Sequence, residues 1–449
     1  MRRIFLFIVF VSLLTSCSNN RESEVKLTVL GENSSNLQAM EALKSKYENK
    51  ANIIIDFKPN TFEDAFNKAN QDFSNKTGLY DIVLQYNFSL SSFVRNKYVY
   101  NLDELTQDIP VESFSFEADL FSSAWKEVSF YYKNPDKPND GIVKVGYPFA
   151  SNTMLLVYNK KMFDDPNNQS SYQLKYNEKL MVPQNWDQFY KVAEFFTNTN
   201  EQTKQKNYGV CLQGAEGGWL YYEFCVFLYG NGGAIMDKER GWEGTENTPI
   251  MLQSSESIQA AKYYKSLKPF NAGNYFTIDV TSQTKIMKEG TVAMGFVWSD
   301  YLYNFVYDNE GILDDRFGFA PIPGNKSPLA GGSFYINKQS KNPKEAAKYI
   351  IDLMQPANQI ELAKKGLCSP LRTTYENSEV QKIPYSNALK QSLDRGVYMF
   401  EAGPESDLVS QVITNYIQQF WNNKLTAEEA LAKTQEDIKS GRSEIYSNL

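Results

Sequence analysis

Apolar positions along this chain alternate between two periods. Val25–Leu30 (VKLTVL) is a short β-rich apolar run stopped by Gly31. Leu37, Met40, Leu43 and Tyr47 then recur at helical spacing, with Ser34 and Ser35 placed to cap the helix they predict. Asn52–Phe57 (NIIIDF) reads as a second strand. Thr61 and Asp64 form a capping-box pair ahead of Phe62, Phe66, Ala69 and Phe73, which share one helical face. Tyr80–Leu84 (YDIVL) is a third strand. Strand, helix, strand, helix, strand predicts a parallel α/β sheet. Ligands of such sheets sit beyond the C-terminal strand ends, here Gly31–Asn36 and Gln85–Phe88.

Farther along, Tyr131–Asp140 is a polar loop, and Ile142–Tyr158 contains two strand-like runs about Pro148. Asn185 caps a helix with Trp186, Phe189, Ala193 and Phe196 on one face, where Trp186 reads as structural. The glycine-rich Gly214–Gly218 precedes a strongly aromatic helix, Trp219–Tyr229. Ser254–Lys268 is helical, Val292–Trp298 (VAMGFVW) and Ala330–Ile336 are strands, and Pro343 opens a helix through Met354. The remainder is mostly helical, with no internal repeat or heptad run.

The first residues, MRRIFLFIVFVSLLTSC, combine two arginines, an apolar run too short to span a bilayer, and small residues before Cys17. This resembles a bacterial lipoprotein signal peptide. The resemblance implies cleavage after residue 16, acylation of Cys17, and a polar tether over 17–24. Acyl chains stabilise membrane binding by about 0.8 kcal/mol per buried CH₂, so several anchor a domain durably. The expected location is the outer face of the bacterial cytoplasmic membrane, or the periplasm if an outer membrane is present.

Composition narrows the chemistry. The 449 residues contain no histidine, which removes Ser–His and Cys–His catalysis and histidine-ligated metal sites. With 53 acidic and 46 basic residues and no basic stripe, a nucleic-acid partner is not expected. Beyond Cys17, Cys211 and Cys225 are near enough in sequence to pair, but they and Cys368 read as small buried thiols. The 29 Tyr, 29 Phe and 6 Trp suit recognition of flat apolar faces bordered by hydroxyls. A chain this long predicts two lobes.

A series of short pieces recurs in order: Tyr80-Asp81-Ile82-Val83; Tyr147-Pro148 leading to Leu156–Phe163; Pro183–Phe189; Tyr208-Gly209; Gly217-Gly218-Trp219; Gly290–Gly295 with Trp298-Ser299; Pro321–Gly324; Gly331-Gly332; Ser340–Ala347; and Gly366 with Pro370-Leu371-Arg372. Together they resemble the extracellular solute-binding proteins of ABC sugar importers, in the maltose-binding-protein-like branch. The resemblance implies two α/β lobes with a ligand cleft between them, an N-lobe of 25–150 and 292–332, and a C-lobe of 151–291 and 333–449. It also implies crossings near Phe149–Thr153, Lys288–Met294 and Gly331–Tyr335, with closure about them. The implied function is capture of an oligosaccharide or other carbohydrate and its delivery to membrane permease subunits, as a monomer, without catalysis, cofactor or metal.

Candidate ligand residues follow from chemistry as well as position. Trp219 and Trp298, at a helix start and a strand end, can cover the apolar face of a sugar while Asp300 accepts from its hydroxyls. Glu223 stands one helical turn beyond Trp219. Gly331 and Gly332 permit close backbone approach or hinge motion. Tyr147 and Asn152 flank the first crossing, Ser34 stands at a helix N-terminus, and Arg372 follows Pro370. Each has an ordinary alternative in packing, capping or ion pairing. The rival functions are a secreted glycan-cleaving lipoprotein, which needs a carboxylate pair across a sugar cleft, and a binding protein for a non-sugar solute such as a polyamine or phosphate ester.

Overall fold

The structure, a computed structural model, describes residues 25–135, 137–199, 204–307 and 312–447. The leader, Cys17 and the tether lie outside these residues. The strands are β1 (Val25–Glu32), β2 (Ile53–Asn60), β3 (Ile82–Tyr86), β4 (Phe130–Tyr132), β5 (Ile142–Lys144), β6 (Gly146–Asn152), β7 (Met154–Asn159), β8 (Asn198–Thr199), β9 (Lys206–Val210), β10 (Val292–Trp298), β11 (Phe317–Ala320) and β12 (Ala330–Ile336). The first sheet has the order β2-β1-β3-β12-β6 and the second β11-β7-β10-β9-β8, while β4 and β5 form a separate ribbon. β1 runs parallel to both β2 and β3, as the N-terminal pattern predicts, and β12 is antiparallel to its neighbours.

Helices cover both faces of the first sheet. Leu27, Val29, Leu84 and Phe334 enter one apolar core, whereas Leu30, Val83 and Tyr335 enter another on the opposite face. The helix Phe62–Asn75 is capped by Thr61 Oγ1, which accepts from the Asp64 amide at 3.2 Å. Its Ala65, Ala69 and Phe73 are buried, but Phe62 and Phe66 turn toward Phe88 at 5.6 and 5.3 Å between ring centres. The predicted apolar face therefore serves two surfaces. Cys211, Cys225 and Cys368 are buried free thiols.

The expected lobe boundaries need correction. β10 pairs with β7 and β9, and β11 with β7, so residues 292–320 build the second lobe and not the first. Every side chain of VAMGFVW is buried, and such a run fits the centre of either sheet; only pairing decides. β12 lies wholly in the first sheet, and Pro343–Leu353 packs against it. Ser386–Asp394 lies on β7 and β11, and Ser406–Trp421 packs on Trp219–Gly230. The passages between lobes are thus at Thr153, between β11 and β12, and between Leu353 and Ser386. The first matches expectation; Lys288–Met294 lies inside the second lobe and Gly331–Tyr335 inside the first.

Buried polar groups tie the passages together. Asn36 Nδ2 donates to Asn152 Oδ1 at 3.3 Å, and Asn36 Oδ1 accepts from the Cys368 amide at 2.9 Å. Ser35 Oγ lies 2.7 Å from the Asp300 carbonyl and 2.9 Å from that of Gly366. The Ser299 amide donates to the Thr153 carbonyl at 2.8 Å.

A second bridge lies away from this knot. Between Trp219–Gly230 and Ser255–Ser266 of the second lobe, an arm closed by a Met236–Ile250 bridge reaches the first lobe. Trp242 at its tip is buried against Tyr131 and Tyr132 of β4, with ring centres 5.9 and 5.3 Å away. Its Nε1 donates to the Lys126 carbonyl at 2.9 Å, and the Gly241 amide donates to Glu127 at 3.1 Å. Burial pushes the Glu127 carboxyl up to about 8.

Candidate functional site

The ends of β1, β3 and β6 in the first lobe meet the end of β10 in the second, and a cavity of about 50 Å³ lies between them. Its polar side is made by Glu32, Tyr86, Asn87, Asn152, Asp300 and Tyr301. Its apolar walls are Phe62, Phe88, Trp219, Tyr222, Trp298 and Phe400, with Ala330 between. Such a volume holds a few water molecules. It adjoins a groove of about 540 Å³, which shares Phe62, Asn87, Phe88, Tyr222 and Phe400 and passes Glu63, Glu216 and Asp407 on its way to Thr414 and Gln418.

Local chain geometry explains the two tryptophans. Gly217 and Gly218 both have positive φ, +82° and +99°, which turns the chain sharply before the helix Trp219–Gly230. A Cβ on Gly218 would meet the Tyr222 ring at 3.0 Å. The turn sets Trp219 beside Phe62 of the other lobe, at 5.8 Å between ring centres. Trp298 is the last residue of β10, where alternation ends and the side chain faces the cleft; Tyr222 stands perpendicular to it at 5.9 Å.

The acidic side chains cross between lobes. Glu32 accepts from Tyr86 in its own lobe and from Tyr301 Oη in the other at 2.8 Å. Asp300 Oδ2 accepts from Asn152 Nδ2 at 3.0 Å and lies 3.4 Å from Tyr86 Oη, whose one hydrogen goes to Glu32. Burial, and then the charge of Glu32, pushes the Asp300 carboxyl up to about 8. Burial also raises Glu32, against the opposing hydrogen bonds of Tyr86 and Tyr301. Three buried polar atoms of the lining have no protein partner: the donors Asn87 Nδ2 and Trp298 Nε1, and the acceptor Asp300 Oδ1. An orphaned buried group costs about 1–3 kcal/mol, so a partner for any of the three would be stabilising.

Of the sequence candidates, the structure brings Trp219, Trp298, Asp300 and Asn152 to the cavity. The others stand elsewhere. Tyr147 is buried behind the first sheet, between Phe116 and Trp125, and donates to Glu117. Glu223 points away from Trp219 into the second core, where burial holds its carboxyl well above the usual range. Gly331 and Gly332 are strand glycines; a Cβ on Gly332 would lie 2.1 Å from the Phe149 ring, so close packing of β12 on β6 requires it. Arg372 pairs with Asp394 and lies over Phe121 at 4.5 Å. Ser34 stands at the start of Ser35–Ala42 without capping through its side chain, and its neighbour Ser35 is the one that crosses to Asp300. Cys17 lies outside the described residues.

Sequence reasoning did not single out Glu32, Phe62, Tyr86, Asn87, Phe88, Tyr222, Tyr301 or Phe400. Glu32 and Tyr86–Phe88 fall within or beside the strand ends it marked as ligand-facing. Phe400 carries no local signal. Among the described residues, no three acidic or cysteine side chains are grouped to hold a metal ion, and no helix is long and apolar enough to cross a membrane.

The fold has many solved counterparts. A solute-binding protein from Agrobacterium radiobacter K84, in complex with ribitol, matches with a TM-score of 0.75 at 18% identity, over 93% of this chain and 98% of its own. A maltose-bound protein of T. maritima matches at 0.74 and 18% identity, over 93% and 99%. The GacH receptor of Streptomyces glaucescens, studied with acarbose, matches at 0.74 and 18% identity, over 95% and 100%. These likenesses agree with two α/β lobes about a cleft. In sequence, residues 42–386 match the model of a family of binding proteins rather than enzymes, and on that match the chain belongs to the bacterial extracellular solute-binding proteins.

Proposed function

We propose that the protein is the substrate-binding component of an ABC importer and that its cleft captures a sugar or polyol. The three orphaned polar atoms carry this reading. Two donors and one acceptor, set among aromatic rings, need a ligand that accepts and donates from closely spaced groups while offering apolar faces. Hydroxylated carbon chains and rings do this. Structural counterparts solved in complex with ribitol, maltose and tagatose support the class. Among the described residues no Lys or Arg lines the cavity or the groove, which disfavours a phosphate ester. Because solute bound only to the folded state adds RT ln(1 + [L]/Kd), a thermal-shift screen over sugars and polyols tests the reading. At least one should raise the melting temperature; a flat response across the panel at millimolar concentration overturns it.

Access for a ligand larger than a few waters requires the lobes to separate, and closure follows binding. Paired spin or fluorescent labels across the cleft should report a shorter distance, and less spread, at saturating ligand. An unchanged distribution contradicts hinge closure. The captured solute is then presented to permease subunits, with the protein held at the membrane through acylated Cys17. Cys17→Ala should lose membrane and detergent partitioning nearly completely, since the acyl chains supply the anchor. Membrane association equal to wild type would remove the lipoprotein assignment.

A further inference from the structure

Resting on the sugar-or-polyol reading, we propose that the preferred solute bears an amine on its hydroxylated skeleton, with the ammonium seated between Asp300 Oδ1 and the aromatic walls. Glu32 and Asp300 line the cavity, and Glu63, Glu216 and Asp407 line the groove outside it together with Glu401, which pairs with Lys238; among the described residues no Lys or Arg lines either space. The charges that face Glu32 and Asp300 are one another and Glu63, with no cation among them. Asp407 and Glu63 both act on Tyr222 in the wall between the two spaces. A low-dielectric cleft with carboxylates of one sign focuses cations toward its floor.

The remaining geometry selects the kind of cation. Among the described residues no three carboxylates are grouped as a metal site, which disfavours a multivalent inorganic ion. Trp219, Tyr222, Trp298 and Phe88 instead line the cavity with aromatic rings, and a ring face is the partner an organic ammonium takes. Asp300 Oδ1 is nine-tenths buried and unpartnered; an arriving ammonium displaces the proton of the buried carboxyl to solvent, and the ionised oxygen then accepts one N–H. A plain polyamine fits poorly, because the orphaned donors Asn87 Nδ2 and Trp298 Nε1 need acceptors that protonated amines lack. Hydroxyls supply them. The two demands together describe an amino sugar or an amino polyol.

Matched pairs on one skeleton test this by calorimetry at low salt: glucose against glucosamine, and sorbitol against glucamine, with spermidine as an amine without hydroxyls. The amine member of at least one pair should bind about tenfold or more tightly than its neutral partner, and Asp300→Asn should remove that advantage. Glu32→Gln serves as a second variant, and melting curves check that both fold. Neutral members binding as well as amines overturn this inference and leave the sugar-or-polyol reading standing. Spermidine binding most tightly, or no binding by any probe, overturns both.

Discussion

Replacement of Trp219 or Trp298 by alanine should weaken binding of the best sugar or polyol by on the order of 2–4 kcal/mol, roughly 30- to 1,000-fold in Kd. Both rings line the cavity and are about nine-tenths buried even so, Trp219 by Phe62 across the cleft and Trp298 by Tyr222 and Phe400. Alanine therefore also opens a void, and some loss of melting temperature accompanies it. Trp298→Phe separates the effects. It keeps a ring in the wall, deletes the unpartnered Nε1 donor and leaves a smaller void than alanine does, so it should melt later than Trp298→Ala and still cost on the order of 1 kcal/mol in binding. Calorimetry and melting of the three variants check this. Normal affinity in all three, with early melting of the alanine forms, would make both tryptophans core residues.

The second large effect concerns acid stability. The Asp300 carboxyl lies well above its ordinary 3.8, at about 8, because it is buried beside Glu32. Between those values the native state holds a proton that the unfolded chain has released. Native protein then binds more protons than unfolded, so stability falls as pH rises through the window. Asp300→Asn removes the titration while keeping an acceptor toward Asn152. In melts from about pH 4 to about pH 8, wild type should lose on the order of 2–4 kcal/mol more than the variant, which should be the more stable form at the alkaline end. The groups facing Asp300 are Glu32, Tyr86 and Asn152, and removing its charge also relieves Glu32, which reinforces the sign. A parallel decline in both proteins would contradict a proton held at Asp300.

What was legible in the sequence divides along physical lines. The N-terminal βαβαβ unit, the Thr61 cap and the aromatic helix after Gly218 are local patterns, and the chain folds as they predict. Trp219, Trp298 and Asp300 stand out in the sequence because they end or begin elements beside glycines or a strand terminus, and the fold sets them on the cavity wall. Assignment of β10 to a lobe was not local: an all-apolar strand carries no mark of its partners. Tyr147 and Glu223 were misread for the same reason. Either side chain suits a sugar, and only tertiary placement shows that each is buried behind the cleft. Phe400 reaches the cavity from a segment whose sequence neighbours hold no site residue, so only the folded chain could reveal it.

The Trp242 arm sets a kinetic condition on the cleft. Any opening that parts β4 from the arm must strip the indole from Tyr131 and Tyr132 and free its Nε1 from the Lys126 carbonyl. Exposing so large a ring costs about 1.5–3 kcal/mol. Solute capture that needs this opening is therefore gated: the receptive form is the minority, and the observed association rate is the collision rate scaled by its population. Once solute is inside, the same clasp prolongs its residence, because escape must wait for the same rare release.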